Sequence, residues 1–440
     1  MARSERPLPP RNTSLAISKL TDRLNRYPAL RQLGPGLITG AADDDPSGIA
    51  TYSQAGAQFG FNMLWTMVFT YPLMVGIQLV SARIGRVTGH GLAANIRMHF
   101  PKPLLWGVVA LLLLANIINI AADIAAMGDA ARLLLGGSAH EYTSIIGLLC
   151  LTLQVFMAYK RYVEYLKWLT LSLLSYVAIV FMLNVSWPQV AASVVMPQIT
   201  WNRDTLMVVV AIFGTTISPY LFFWQAAQEV EEIRSTPGAA PLIAAEDHES
   251  KAQLGRIKLD TVIGMGFSNL VAFFIILTTA ATLHRHGLTD IQTSAQAAEA
   301  LRPLGGEFTF LLFALGIIGT GLLAVPVLAG SAAYAVAECF EWRTGLNLEL
   351  LEAREFYGMI ALATLGGCVL DFANISPIKA LLWSALINGV IAVPIMVVMM
   401  TLASRRELMG NYAISLRLKI AGWLATAVMA AAVIAMFATT

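Results

Sequence analysis

The sequence predicts an all-α membrane protein with eleven transmembrane helices. Three observations carry this. Apolar runs near 20 residues recur along the whole chain, about the length that crosses a hydrocarbon core of roughly 30 Å. Of 440 residues, 57% are hydrophobic and 13% charged, where an ordinary soluble domain carries about a quarter charged residues. Backbone amides in lipid need internal partners, which leaves helices or closed barrels, and the runs lack the alternation of about ten residues that marks barrel strands.

The spans fall at residues 34–58, 61–84, 103–126, 142–157, 162–185, 205–230, 259–283, 308–337, 356–372, 378–402 and 418–437. The eighth is over-long and extends beyond the lipid. Residues 1–33 form a polar, basic cytoplasmic segment with no signal-peptide core, so the first span acts as its own insertion signal. Orientation follows from Lys and Arg in short loops. The N-terminal segment and the even-to-odd loops, with Arg83, Arg86, Lys160, Arg161, Lys251, Arg256, Arg405 and Arg406 among them, hold 24 of the 29 basic residues, and the opposite side holds 5. This puts the N-terminus in the cytoplasm and the C-terminus outside, in a plasma (inner) membrane. The sizeable hydrophilic stretch, 231–258, reads as a solvated cytoplasmic loop; its Glu246-Asp247-His248-Glu249 cluster has no metal-ligand spacing. Cys150, Cys339 and Cys368 form no C-x-x-C pair, which argues against a zinc site or a disulfide framework. A net charge of +2 suggests no nucleic-acid partner.

The first span is interrupted. Gly34 to Ala42 reads as helix, and then come Asp43, Asp44, Asp45, Pro46, Ser47 and Gly48. Ten helical residues cover about 15 Å, so the acidic break falls near the midplane. Pro46 removes an amide donor and disfavours helix at Asp45, while Gly48 is permissive. The sixth span repeats the design, with Gly214, Thr215, Thr216, Ile217, Ser218 and Pro219 mid-span and Tyr220 following. Broken helices at matching places in two five-span halves point to a transporter with inverted repeats, 34–185 and 205–402, with residues 418–437 as an additional helix.

A mid-membrane carboxylate is costly unless paired, hydrated or bound to a cation, which makes Asp45 a functional candidate. Its expected companions are the carbonyls of Ala42 and Thr215 and the hydroxyls of Ser218 and Thr216, all oxygen donors. Hard dications such as Mg²⁺ prefer oxygen ligands and retained water, whereas softer ions accept nitrogen or sulfur more readily. Asp45 can also N-cap the second half-helix, with Pro46 in its first turn. That local role is compatible with ion binding, but it leaves the mid-depth position and the later recurrence unexplained. Asp44 and Asp43 can join the site or face a hydrated vestibule and only attract cations.

These residues resemble a known family. Gly34-Pro35-Gly36 leading to Asp45-Pro46-Ser47-Gly48, then Ala50-Thr51 and Gln54-Ala55-Gly56-Ala57, is similar to the first helix of the NRAMP divalent-metal transporters, and Gly214 to Pro219 matches the second half of that signature. The resemblance spans essentially the whole chain and implies the LeuT-type fold. It also implies departures. Gly48 stands where the family has a metal-binding Asn, Ser218 where it has a methionine, and Tyr220 where it has a histidine linked to proton movement. Asp123 aligns with an acid of the family's proton path, and the second acid expected one turn on is Ala126. Asp123 and Asn119 share one helix face, so a packing hydrogen bond and an ion-pathway role both fit them. The losses resemble the NRAMP-related magnesium transporter branch. They imply a metal set of Asp45, Ala42, Gly48, Thr215 and Ser218, and transport of Mg²⁺ or Mn²⁺ without proton coupling.

Asn388 and Ser384 can line the cleft from the tenth span, where Ala385 holds the place nearest the family's glutamine. Asn269 and Thr320 fit helix-to-helix contacts equally well; Asp371 fits interfacial capping, and His284 and His286 a solvated loop. The alternatives are a proton-coupled Mn²⁺ or Fe²⁺ importer of the same family and a sodium-coupled organic-solute transporter. Three aspartates at the break would repel a carboxylate substrate. No nucleophile–base pair, zinc signature or phosphate loop suggests an enzyme. No cofactor is implied beyond the transported ion, and a monomer in the bilayer suffices for this reading.

Overall fold

The computed structural model describes residues 35–157, 172–200, 202–244, 247–370 and 376–439. Among them the regular elements are all helical. The broken first span is α1 (Pro35–Asp43) and α2 (Pro46–Phe59). There follow α3 (Leu64–Thr88), the short α4 (Leu92–His99), α5 (Lys102–Leu135), α6 (Ala139–Phe156), α7 (Leu174–Met182) and α8 (Trp187–Val195). The broken sixth span is α9 (Arg203–Thr216) and α10 (Pro219–Ser235). The chain ends with α11 (Asp247–Ala281), α12 (Thr309–Phe340), α13 (Arg354–Leu370), α14 (Pro377–Ser404) and α15 (Leu416–Ala438). Seven helical stretches among the described residues are long and apolar enough to cross a membrane. The outer face of α15 is apolar too, with Leu416, Ile420, Ile434 and Phe437 exposed, as a helix bordering lipid requires.

Close backbone approach organises the middle of the molecule. α1 and α2 lie along α11, and α9 lies along α14. A Cβ on Gly40 would stand 2.3 Å from the carbonyl oxygen of Gly264, and one on Gly214 would stand 2.0 Å from that of Ala385. Only glycine permits these contacts, the usual means by which membrane helices gain packing energy. α5 runs through the centre, packed against α12, α13, α14 and α6.

A helix overlaps each drawn span, but seven stretches rather than eleven meet the length and apolarity of a crossing among the described residues, and there are further corrections. α5 continues to Leu135, so Asp129 lies within it and pairs with Arg132 at 2.7 Å. The stretch 231–258 is not mainly a loop, because α10 continues to Ser235 and α11 begins at Asp247. Glu231 in that stretch is buried and accepts hydrogen bonds from Tyr334 Oη (3.0 Å) and Asn347 Nδ2 (3.1 Å). Paired charges can extend a helix where hydropathy alone ends it. Residues 1–33, the start of the fifth span and Asp371 lie outside the described residues.

Candidate metal site

The first break is a helix N-terminus built around Asp45. Asp45 is extended (φ −70°, ψ 170°) and N-caps α2, with Pro46 in the first turn. Its Oδ1 accepts from Gly48 N and from Ser47 Oγ, each at 2.7 Å. Its Oδ2 accepts from Asn119 Nδ2 of α5 at 3.0 Å. Capping and a third-helix contact are thus both present in one side chain that is 1% exposed. The positive end of α2 stabilises the carboxylate. Asp123, one turn beyond Asn119, comes near enough for its charge to act on Asp45, and it faces the Ser47 amide. No side chain donates to either of its oxygens.

The second break meets the first. Thr215 Oγ1 lies 3.2 Å from where a Cβ on Gly48 would be. Ser218 precedes α10, but its hydroxyl turns back to donate to the carbonyls of Gly214 (2.8 Å) and Thr215 (2.9 Å). Thr216 donates to the Ile212 carbonyl within α9. Tyr220 Oη donates to the Ala42 carbonyl at 3.2 Å, tying α10 to the end of α1.

Asp43 and Asp44 are buried against α11, where Ser268 Oγ lies 2.6 Å from Asp43 Oδ2 and 3.0 Å from Asp44 Oδ1. Asn119 makes a hydrogen bond between helices, to Asp45 of the first break. Asn388 is buried with both amide atoms unpartnered, beside the α9–α14 contact made by Ala385 and Gly389. Ser384 donates within α14 to Leu381. Among the described residues no three His, Cys, Asp or Glu side chains converge as a cation cage. An ion at Asp45 would draw its remaining ligands from carbonyls, hydroxyls, amides and water.

Other groups escaped the sequence reading. A cavity of about 360 Å³ lies between α2, α9 and α14, lined by Gln54, Gln58, Asp204, Asp290, Lys379 and Trp383 among others. On the other side of the break, Arg256 of α11 pairs with Glu229 (2.9 Å) and Glu232 (3.3 Å) of α10. Asp260 accepts from the Gly36 amide at the start of α1 at 2.7 Å. In the sequence Arg256 and Glu232 fell in the stretch read as a loop, and Glu229 and Asp260 at the ends of the drawn sixth and seventh spans.

The profile of the Nramp family, natural resistance-associated macrophage protein-like, matches residues 36–439. The chain belongs to the Nramp family. It is 32% identical over 314 residues to a divalent metal cation transporter MntH of Yersinia enterocolitica, covering 69% of this chain and 72% of that one. It is 25% identical over 425 residues to the MntH of Klebsiella pneumoniae, covering 95% and 96%. In structure it is similar to the Eremococcus coleocola manganese transporter, with a TM-score of 0.73 at 17% identity, covering 98% of this chain and 89% of that chain. It is also similar to Mhp1, a nucleobase-cation-symport-1 family transporter, with a TM-score of 0.60 at 12% identity, covering 93% and 92%. This Nramp protein therefore has the LeuT-type fold. Its two interrupted helices meet where that fold brings its first and sixth spans together.

Proposed function

We propose that the protein carries divalent metal cations across the membrane by alternating access, with Asp45 as the anionic ligand. The preferred ion is hard and partly hydrated, Mg²⁺ ahead of Mn²⁺, and its movement is not coupled to protons. One observation carries this reading: the polar groups gathered at Asp45 are hydroxyls, amides and a second carboxylate, with no thioether or imidazole among them. Such a set suits an ion that keeps water and oxygen ligands. The relatives' names, divalent metal cation transporter and manganese transporter, support the class of cargo. The Ala42 carbonyl, Thr215, Ser218 and the open space of Gly48 complete the proposed site, with Tyr220 and Thr216 holding its frame. Residues 34–185 and 205–402 act as the two repeats, in a plasma membrane with the N-terminus cytoplasmic.

The test is flux into proteoliposomes beside calorimetric titration with Mg²⁺, Mn²⁺ and Ca²⁺ on one preparation. Asp45→Ala should abolish flux and leave the folded protein intact. Normal flux in that variant would remove Asp45 from the site. Mg²⁺ movement should leave the lumenal pH unchanged, and stoichiometric acidification would overturn the uncoupled reading.

A further inference from the structure

Two cations on the basic side are left over by the fold. The link between α14 and α15, residues 405–415, is pinned by its neighbours. Arg405 donates to the His99 carbonyl at 3.2 Å and lies over the Phe100 ring, 4.7 Å from its centre. Arg83 donates to the Tyr412 carbonyl at 2.8 Å. Arg406 and Lys419 make no such contact: both are exposed, and among the described residues neither has an ion-pair partner. What they share is a cavity of about 560 Å³. Its wall also holds Ser404, Asn411, Ser415 and Leu416, and no Asp or Glu. A surface cation in open water needs no partner, but these two line one concave space in which other groups can donate as well. The Asn411 amide forms no hydrogen bond among the described residues. Ser415 Oγ accepts from the Leu418 amide at 3.5 Å, which leaves its own proton to donate. Ser415 also caps α15, whose positive end therefore lies at the same wall. Two cations, an amide and a hydroxyl without a competing carboxylate suit an oxyanion, to which charged donors bind most strongly.

The surroundings of the cavity say which oxyanion. Leu416 on its wall is followed at one-turn intervals by Ile420 and Leu424, and all three are exposed. This apolar stripe runs from the cavity along α15, a helix long and apolar enough to cross the membrane. A free anion would use the cavity and leave the stripe uncovered; a ligand with an anionic head and an apolar tail uses both. We propose that the cavity binds the phosphate headgroup of an anionic phospholipid, with an acyl chain along Leu416, Ile420 and Leu424. Basic pockets between membrane helices hold anionic headgroups by the same combination of charge and depth. The site lies at the α14–α15 link and is independent of the metal site.

The experiment titrates the full chain in neutral detergent with phosphatidylglycerol and with phosphatidylcholine, and reads bound lipid by native mass spectrometry. Phosphatidylglycerol should bind more tightly. Arg406→Gln and Lys419→Gln should each weaken it about fivefold, and together about 25-fold, the size expected for basic side chains at a lipid surface. Arg343→Gln is the control, because Arg343 is exposed beyond the end of α12 and is not on the cavity wall; it should change nothing. Asn411→Asp, which sets a carboxylate into the wall, should act like the cation variants, and it carries the test if the double variant does not melt as a folded protein. Millimolar inorganic phosphate should not displace the lipid. Equal binding of the two lipids would overturn the proposal, as would equal weakening by Arg343→Gln and Lys419→Gln, which would mean a general attraction to the basic face. Displacement by inorganic phosphate would make the cavity a free-anion site and overturn the lipid assignment. None of these readings uses metal flux, so their failure leaves the proposed function standing.

Discussion

Ser218 stands at the N-cap position of α10, yet its hydroxyl is spent on the carbonyls of Gly214 and Thr215 in the half-helix before it. A methionine there would release both carbonyls and place a thioether at the break, a softer ligand than any group now present. Ser218→Met should therefore raise affinity for Mn²⁺ and Cd²⁺ relative to Mg²⁺ by about tenfold, equivalent to 1.4 kcal/mol, read from competition flux. Unchanged selectivity would mean that residue 218 does not reach the ion. Adding Gly48→Asn should sharpen the shift at a cost in stability. A Cβ at 48 meets Thr215 Oγ1 at 3.2 Å and Tyr52 Cε2 at 3.3 Å, and overpacking of this kind costs about 1–3 kcal/mol. The N-capping by Asp45 was legible in the sequence because Asp-Pro-Ser-Gly is a local code for a helix start. The fate of Asp43 and Asp44 was not, because it depends on Ser268, far along the chain in α11. The same holds for Asn119, whose helix face was readable but whose partner was not.

At the scale of elements, α1 keeps its place because two of its glycines lie on α11. A Cβ on Gly36 would come 2.9 Å from the Thr261 amide nitrogen, and one on Gly40 2.3 Å from the Gly264 backbone. Gly40→Val should push α1 off α11 and loosen the Ser268 contacts of Asp43 and Asp44. The expected loss is about 1–3 kcal/mol, seen as a lower melting temperature in detergent together with reduced flux. Gly255→Ala on α11 is the control, because a Cβ there meets nothing within 4 Å; it should leave the melt unchanged or raise it through better helix propensity. A Gly40→Val protein that melts with its parent would show that the close approach carries no energy. Hydropathy made the helices legible, since each lipid-facing run is long and apolar. It misjudged 231–258 because the charges there are answered inside the fold, Glu231 by Tyr334 and Asn347, and Arg256 by Glu229 and Glu232.

Across the whole molecule the two ends of the site are closed to different degrees. Toward the basic side a continuous chain of polar contacts joins three elements. Thr39 Oγ1 of α1 donates to Gln225 Oε1 of α10 at 2.5 Å, Gln225 Nε2 donates to Glu229 Oε1 at 3.4 Å, and Arg256 of α11 holds Glu229 and Glu232. Asp260 fastens the start of α1 through the Gly36 amide. Toward the other side lies the cavity bearing Asp204 and Asp290, and Gln54 on its wall is nine residues, or about 13 Å of helix, beyond Asp45. The bolt and the cavity together describe a carrier shut on its basic face, so breaking the bolt should open that face. Arg256→Ala takes from buried Glu229 its hydrogen-bonded cation, leaving Arg86 as the other positive charge acting on it, a loss of up to about 3–5 kcal/mol for the closed arrangement. With Cys150, Cys339 and Cys368 replaced by Ser, an Ala42→Cys reporter at the buried end of α1 should resist a membrane-impermeant alkylating reagent applied from the basic side. Adding Arg256→Ala should speed its modification at least about tenfold, each tenfold being worth about 1.4 kcal/mol, and Arg256→Lys should retain most of the protection. Equal labelling in all three proteins, each shown to be folded by its melt, would mean that the charged chain braces α10 and α11 without controlling access to Asp45.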